Sequence, residues 1–551
     1  MPESQVLQAF AHMLQQVSEE AYRQSGFWPD ATLRLFPRAF AEGTPTKPYK
    51  TLTMDSGDYS PSLEPNLRPV NNYDARRIPK HVTWRHLLDR ELVSGPIYFA
   101  VRGKCLAIAA GYHALVVHFD LEGNIRPMKR TDFNDMVAHC VKGNASDPAR
   151  AEKMRSFLLP NKFIEPGARK SKKDRKITIL AAILMDEDVF IITDFCRMTQ
   201  LHVVSSSRII SKRDLEPGSE FWTTRLWAHF RASPDWISET EAALAVLVGW
   251  REQVLSKDIR VPIIEALLDV DGPGSGMGQH LVNDFLFSIA FHPDTPSLVI
   301  CKNDDLFTLL RTSLVSFMSQ WASKKYLTRC AGRANSNNPF FFNDKSNRIF
   351  LQQYVRVYRK VEVRIEQELY NRYQSLGLFD PTHTIGMPYH SHWTPMNRKY
   401  KSVSVQMFRG SKSNRYHVIR AIPPAEWKAY TEPSEFSDIT AAGFSTTLGP
   451  ASFYESMLNK LDEKELEKTP KKRGRPAAVI KTGNSGRPRL HPRHPVVQEA
   501  IDRVKLIPKT AKVVELKKKD KKNEGCMNES SANGGKVVSH VTRPCRVRVQ
   551  M

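Results

Sequence analysis

The sequence is poor in cysteine and has no long apolar run. Its seven cysteines are odd in number and scattered, and no two of them have the C-x2-C spacing. This pattern excludes a disulfide framework and a common zinc-finger arrangement, and it favours a reducing compartment. The longest apolar run, residues 179–185, is far shorter than the ~20 residues that a membrane-spanning helix needs. Without a secretory signal pattern at residues 1–16, we expect an intracellular protein with no membrane partner.

Acidic residues are outnumbered by basic ones, and the excess lies towards one end. The 551 residues contain 81 Lys and Arg against 58 Asp and Glu, a net charge of +23. Residues 471–551 contain 21 basic and 6 acidic residues, whereas residues 1–470 contain 60 and 52. A near-neutral body joined to a basic tail indicates a polyanionic partner, in the first place nucleic acid. A merely solubilising tail and an acidic membrane surface are the alternatives.

The order of apolar patterns predicts an α+β protein. We expect a small antiparallel β barrel or sandwich, then a mainly helical region, then a disordered basic C-terminal tail. The six expected regions are an N-terminal amphipathic helix (1–26), an irregular Pro-rich segment (27–94), a β-rich region (95–215), a mainly helical region (216–378), a mixed region ending in a helix at 453–467 (379–469), and the tail (470–551).

Within these regions, residues 5–22 have the apolar spacing of a helix. Short apolar runs between 95 and 206 predict five to seven strands, including a hairpin across residues 185–188. Glu122-Gly123-Asn124 reads as a turn. One helical stripe runs from Leu306 to Trp321, and a second, longer one is expected from Leu351 to Leu369.

The tail contains a short arginine motif in a lysine-rich setting, residues 469–476. Two arginines flank a glycine, and a proline follows them. The floor of an A·T-rich minor groove offers only hydrogen-bond acceptors, and its narrow walls concentrate negative potential, which attracts guanidinium groups. Glycine lets the backbone approach the bases, and proline keeps the chain extended. The motif is therefore suited to minor-groove binding.

This stretch resembles the AT-hook of the high-mobility-group A proteins and of many chromatin proteins. The resemblance implies that Arg473 and Arg475 enter the groove and that Gly474 is the position of close approach. It also implies phosphate contacts from the preceding lysines. The motif ends in Ala477-Ala478, where many hooks continue with a basic residue. The residues that match the motif are Lys471, Lys472, Arg473, Gly474, Arg475 and Pro476.

A second, degenerate copy follows twelve residues later. It has Ser485 in place of the first arginine, and its matching residues are Gly486, Arg487, Pro488 and Arg489. Twelve extended residues span at most roughly 40 Å, and one turn of B-DNA is ~34 Å. Both copies could therefore occupy successive minor-groove segments and gain avidity. The alternatives for the whole motif are a nuclear import signal without groove contact, or a chance result of composition.

Three other patterns were weighed as sites of chemistry. The glycine-rich stretch 269–278 precedes an apolar helix but misses the spacing of a nucleotide-binding loop, so we interpret it as a flexible linker between helices. The histidines of the 382–393 stretch, with Asp380 nearby, fix no metal geometry and are interpreted as ordinary loop residues. These histidines are His383, His390 and His392.

A cluster of carboxylates surrounds the predicted hairpin. Such a cluster can bind Mg²⁺ for phosphoryl transfer, but most of it falls on a turn, where acidic residues are common. Its members are Asp186, Glu187, Asp188 and Asp194. We assign no catalytic residue, metal or cofactor from the sequence.

The function predicted from these observations is that of a nuclear DNA-binding protein, a transcription or chromatin regulator whose tail contacts A·T-rich double-stranded DNA. Its protein partners are not identified by the sequence. Two alternatives stay open. One is a nucleic-acid-processing enzyme of the transposase-derived nuclease type, using the carboxylate cluster. The other is an interaction protein whose basic tail serves only nuclear import.

Overall fold

The computed structural model divides the chain into two units, Met1–Leu466 and Glu467–Met551. All of the described residues belong to the first unit. The structure describes residues 3–36, 52–64, 86–89, 92–119, 123–138, 156–163, 176–194, 199–230, 233–331, 339–340, 344–358, 360, 362–378, 400–409, 415–419, 421 and 435–438.

The first half of the described chain is one long helix followed mainly by strands. Helices α1 (Ser4–Ser25), α2 (His86–Asp89) and α3 (Arg130–Ala138) accompany these strands. The strands are β1 (Asp30–Leu35), β2 (Leu52–Asp55), β3 (Gly95–Pro96), β4 (Tyr98–Arg102), β5 (Cys105–Ala110), β6 (His113–His118), β7 (Gly123–Lys129), β8 (Ser156–Leu158), β9 (Lys176–Leu184), β10 (Asp188–Asp194) and β11 (Gln200–Ser205).

These strands form two sheets that share one apolar core. The first sheet has the order β3-β1-β9-β10-β7, with β8 beside β9, and the second has the order β2-β11-β6-β5-β4. Leu180 and Ile192 of the first sheet lie in the same buried cluster as Leu106 and Val117 of the second. Helix α1 contributes Phe10 and other residues to this cluster. The arrangement is a sandwich, and the described strands do not close into the barrel that was the other expectation.

The predicted strands between 95 and 206 are confirmed as β4, β5, β6, β9, β10 and β11. The predicted hairpin is also present, because Met185 N–H donates to the carbonyl of Asp188 across the turn from β9 to β10. Two expectations were wrong. Residues 27–94, expected to be irregular, contain β1 and β2, and Gly123 and Asn124, expected in a turn, are the first two residues of β7. Strand β2 pairs in parallel with β11, so its sheet is mixed.

The second half of the described chain is mainly helical. Helix α8 and the short turn Gln320–Ala322 contain the predicted stripe from Leu306 to Trp321, with Leu310 and Leu314 fully buried. The helices are α4 (Thr240–Ser256), α5 (Ile263–Leu268), α6 (Gln279–Ser288), α7 (Ser297–Lys302), α8 (Asp304–Ser319), α9 (Lys324–Cys330), α10 (Asp344–Gln353) and α11 (Gln367–Ser375).

The single long helix expected from Leu351 to Leu369 is not formed. Helix α10 ends at Gln353, strand β12 (Glu362–Glu366) follows, and α11 begins at Gln367. Val363 and Ile365 are both buried, which is the period-two alternation of a strand. Over so few residues this alternation coincides with helical spacing, and pairing of β12 with a distant strand decides the outcome.

A third sheet completes the described body. It has the order β12-β13-β14, with β15 beside β13. Strand β12 lies in the region expected to be mainly helical, and the other three strands lie in the mixed region 379–469. Its further strands are β13 (Tyr400–Arg409), β14 (Arg415–Ile419) and β15 (Glu435–Asp438). The helix predicted at 453–467 lies outside the described residues. In the part of the chain that the structure describes, no helix has the length and apolar character needed to cross a membrane.

Candidate functional site

The glycine-rich stretch joins α5 to α6, as expected of a linker, but it is tightly packed. Gly276 has φ +79°, a conformation that favours glycine, and its carbonyl accepts a hydrogen bond from Ser4 N–H at 2.9 Å. A Cβ built on Gly278 would lie 2.5 Å from Glu3 Oε1. The first residues of α1 therefore lie against this stretch, which does not behave as a free linker.

Glu3 occupies the N-terminus of α6. Its Oε1 accepts from His280 N–H at 3.1 Å, and its Oε2 accepts from Leu281 N–H at 2.9 Å. A carboxylate at this end of a helix satisfies free N–H groups and interacts favourably with the helix dipole. Because a side chain of the protein already fills this position, the helix end offers no open cradle for a phosphate.

A buried ion pair continues from this point along α6. His280 Nε2 lies 3.0 Å from Asp284 Oδ2, and Gln5 Nε2 lies 3.3 Å from His280 Nδ1. The Asp284 carboxylate also accepts backbone N–H groups from Arg356, Val357 and Tyr358 at 2.8 to 2.9 Å. Three segments that are distant in sequence, near residues 3–5, 276–284 and 356–358, thus meet at one cluster, which we name the N-terminal junction.

Both charges in the N-terminal junction are stabilised by the pairing. Burial opposes a charged His280, but Asp284 and Glu3 outweigh this effect and raise the pKa of His280 above its ordinary value. Burial likewise opposes a charged Asp284, but His280 and the backbone N–H groups hold the pKa of Asp284 below its ordinary value. Both shifts favour the charged forms of the pair, which lies in a buried site where most of the polar atoms named above have a hydrogen-bond partner.

A pair of stacked histidines lies at the edge of the second sheet. The rings of His202 on β11 and His229 are 4.3 Å apart and nearly parallel, and both approach Thr53 Oγ1 on β2, at 2.7 and 3.2 Å. Burial, followed by the neighbouring His229, lowers the pKa of His202 to about 4. The pair is neutral at physiological pH, and protonation in acid would disfavour the stacked arrangement of the two rings.

One carboxyl of the helical region is buried beside another acid. Asp294 is 4% exposed, and burial together with the charge of Glu265 raises the pKa of Asp294 to about 7. His292, two residues earlier, is also buried, and Asp294 N–H donates to His292 Nδ1 at 3.1 Å. The Asp294 carboxyl, in the segment between α6 and α7, is therefore only partly ionised near neutral pH.

The carboxylates predicted around the hairpin do not converge. Asp186 and Glu187 are exposed on the turn, and Asp188 pairs with Lys129 at 3.0 Å. Asp194 is buried at the other end of β10, where its Oδ2 accepts from Thr199 N–H at 2.6 Å. Six residues of strand separate it from Asp188, roughly 20 Å. The alternative hypothesis of a nuclease built on this cluster is thus wrong about its residues.

The other residues singled out in the sequence lie outside the described residues. These are the histidines at 383, 390 and 392 and all of the tail residues assigned to DNA, 471–476 and 486–489. Within the described ranges, no group of three or more His, Cys, Asp and Glu is placed to hold a metal ion.

Sequence reasoning missed the N-terminal junction. His280 and Asp284 are four residues apart on one helix, a spacing that brings side chains together and could have been noticed. Glu3 gave no such signal, because its partners lie about 277 residues away in sequence. Only the folded chain brings it to the end of α6.

Comparison with known proteins gives no family. No family model matches the sequence, and no curated protein does. Among solved structures, MutM bound to DNA containing carbocyclic 8-oxo-G aligns with a TM-score of 0.31 at 12% identity, covering 58% of this chain and 79% of that chain. Lactococcus lactis Fpg bound to DNA containing an oxidised pyrimidine gives 0.31 at 13%, covering 61% and 82%.

A third structure, Lactococcus lactis formamidopyrimidine-DNA glycosylase bound to DNA with an AP site, gives a TM-score of 0.32 at 12% identity and covers 59% of this chain and 80% of that chain. Alignments at this level do not establish a shared fold. The function of this chain is therefore argued from its own residues.

Proposed function

We propose that this chain is a DNA-binding protein whose basic tail contacts A·T-rich minor grooves. The observation that carries the proposal is the arginine motif at 471–476, set in a tail with 21 basic and 6 acidic residues. Lysines beside the motif supply sequence-independent attraction to phosphates, and the two arginines supply the preference for A·T pairs. A nuclear location and a role in transcription or chromatin follow as parts of the same proposal.

The mechanism has two steps. The tail is first captured by the phosphate backbone with release of counterions, so binding weakens steeply as salt rises. Arg473 and Arg475 then enter a narrow minor groove, where the 2-amino group of guanine would obstruct them in G·C sequence. The degenerate copy at 486–489 adds a weaker contact one helical turn away.

The test compares A·T-rich and G·C-rich duplexes of equal length across a salt series, with the full chain and fluorescence anisotropy as the readout. We expect the intact protein to favour the A·T duplex. The double change Arg473→Ala with Arg475→Ala should remove that preference and leave weaker, salt-sensitive binding to both duplexes.

A matched control removes the same charge elsewhere in the tail. Lys517→Ala with Lys518→Ala also deletes two cations, but outside the motif. It should weaken binding to both duplexes equally and keep the A·T preference. Equal affinity of the intact protein for the two duplexes would reject the minor-groove mechanism.

The import-only alternative is separated in cells. Residues 471–475 are replaced by an unrelated nuclear import signal that lacks arginine-glycine-arginine. If the tail binds DNA in the proposed way, the protein enters the nucleus but is washed from chromatin at lower salt than the original. Unchanged retention would favour import as the motif's only role.

A further inference from the structure

Helix α9 presents a row of cations to solvent. Lys324, Lys325, Thr328 and Arg329 are exposed, whereas Tyr326 and Cys330 on the opposite side are fully buried. Residues four apart on a helix are neighbours, so the exposed side chains form one continuous face. We name these four exposed residues the α9 basic face.

The surrounding sequence contains no compensating acid. From residue 306 to residue 343 there is no Asp or Glu, while five Lys and Arg occur. Neither lysine of the α9 basic face, nor Arg311 on α8, forms an ion pair with another described side chain. Among the described residues, no acid therefore neutralises these three cations, and Arg329 contacts the amide oxygen of Gln353 at 3.4 Å.

Several other cations of the body are arranged differently. They are exposed or half-buried and lie against an acid of the same chain. Such pairs are Lys129 with Asp188, Arg208 with Asp214, Arg251 with Asp304 and Arg260 with Asp258. On α9, in contrast, Lys325 and Arg329 are like charges at positions i and i+4, an arrangement that costs a helix a few tenths of a kcal/mol.

The α9 basic face is rigidly mounted. Tyr326 OH donates to the carbonyl of Gln5 at 2.9 Å, and its ring lies 5.0 Å from the rings of Trp321 and Tyr354. The helix N-terminus is capped by Ser323 Oγ, which accepts from Tyr326 N–H. The exposed cations therefore stand on a fixed element, which reduces the entropy lost when they bind a partner.

We propose that the α9 basic face binds the phosphate backbone of DNA. This rests on the proposed function, since it assigns a second contact to the DNA that the tail captures. Lysine ammonium groups, a hydroxyl and a guanidinium are the groups that commonly contact DNA phosphates, and such contacts position a protein without reading sequence. The body thereby adds affinity while the tail supplies the A·T preference.

The test uses the full chain with Lys324→Ser and Lys325→Ser. Both side chains are exposed, so folding is preserved. We expect affinity for the A·T and G·C duplexes to fall about tenfold at ~0.1 M salt, and the slope of log affinity against log salt to fall by about two. The ratio of the two affinities should not change.

The matched control is Lys129→Ser with Lys162→Ser. These lysines are also exposed, but each forms an ion pair with an aspartate, Asp188 and Asp132 respectively. The charge change is the same, and affinity should fall by less than about twofold. If both double variants behave alike, the α9 basic face is not a DNA contact.

The outcome separates this inference from the function on which it rests. If the variant with Lys324→Ser and Lys325→Ser binds DNA as the control does and keeps the A·T preference, the α9 contact is overturned. The tail mechanism then still holds. A selective loss of binding to phosphatidylserine vesicles, with DNA binding unchanged, also overturns it. A parallel loss on both duplexes with a reduced salt slope supports it.

Discussion

The body and the tail use charge in opposite ways. Residues 1–470 contain 60 basic and 52 acidic residues, and inside the N-terminal junction a histidine and an aspartate lie 3.0 Å apart as a buried pair. Residues 471–551 contain 21 and 6, so most of their cations have no acid within the tail to meet. The comparison teaches that charge matched within the chain supports folding, whereas unmatched charge is available to another molecule.

The α9 basic face refines this comparison, because its lysines are cations without an ion pair among the described side chains, on a body whose total charge is near balance. Removal of a matched charge should change stability, and removal of an unmatched charge should change binding. The predictions below test that division.

The largest effect is expected from Asp284→Ala. It removes the partner of His280 and leaves three backbone N–H groups of residues 356–358 without an acceptor, so we expect a loss of about 3–5 kcal/mol in unfolding free energy. Urea denaturation of the full chain measures it. Asp284→Asn, which keeps an acceptor oxygen, should cost less. A loss below about 1 kcal/mol for the alanine variant would contradict the role of the N-terminal junction.

A smaller effect, and a gain in the free energy of unfolding, is expected from Asp294→Asn at high pH. Since the pKa of Asp294 is raised to about 7 in the folded chain, this carboxyl stabilises the fold fully below its unfolded pKa near 4 and loses that contribution as pH rises towards 7. The amide is neutral throughout. The substitution should therefore change the free energy of unfolding about 1–3 kcal/mol more favourably at pH 8 than at pH 4.5, both measured against the original protein. A pH-independent difference would show that Asp294 is ionised in the fold.

The stacked histidines predict an acid-sensitive edge of the second sheet. Because the pKa of His202 is lowered to about 4, its contribution is present above the unfolded value of 6.5 and is lost as pH falls from there. His202→Gln should remove up to ~1.4 kcal/mol per pH unit of this dependence. Urea midpoints at pH 7.5 and 5.0 measure it. His494→Gln in the tail is the control and should leave the dependence unchanged.

The smallest effect on stability is expected from the tail. Arg473→Ala with Arg475→Ala should change the unfolding free energy by less than about 0.5 kcal/mol, because the proposed partner of both side chains is DNA. The same variant should lose its A·T preference. A clear destabilisation in urea would mean that the tail contributes to the fold and would break the division between the two regions.

Strands were predictable where their burial is continuous. In β5 and β10 nearly every residue is buried, and such apolar runs are visible in the sequence. Strands β1 and β2 were missed because they are short and lie in a Pro-rich segment. Their pairing with β9 and β11 is decided by partners more than a hundred residues away, which no local pattern reports.

The N-terminal junction was also hard to predict, because its contacts join residues that are distant in sequence. The glycine-rich stretch was noticed, but its interpretation as a flexible linker was wrong about its packing, because the residue that approaches Gly278 is Glu3. A glycine-rich pattern indicates that another group can approach the backbone closely, but it does not identify that group. The tail motif is different, since its proposed partner is another molecule and its meaning is local.

The bond from Tyr326 to Gln5 has a consequence for synthesis of the protein. The first turn of α1 is synthesised before its partners Gly276, His280 and Tyr326, which follow more than 270 residues later. At about 5–20 residues per second, that interval is on the order of tens of seconds. During this time the polar start of α1 lacks its partners. The N-terminal junction therefore closes late, and substitutions there should lower the yield of folded protein in cells more than its stability once folded would suggest.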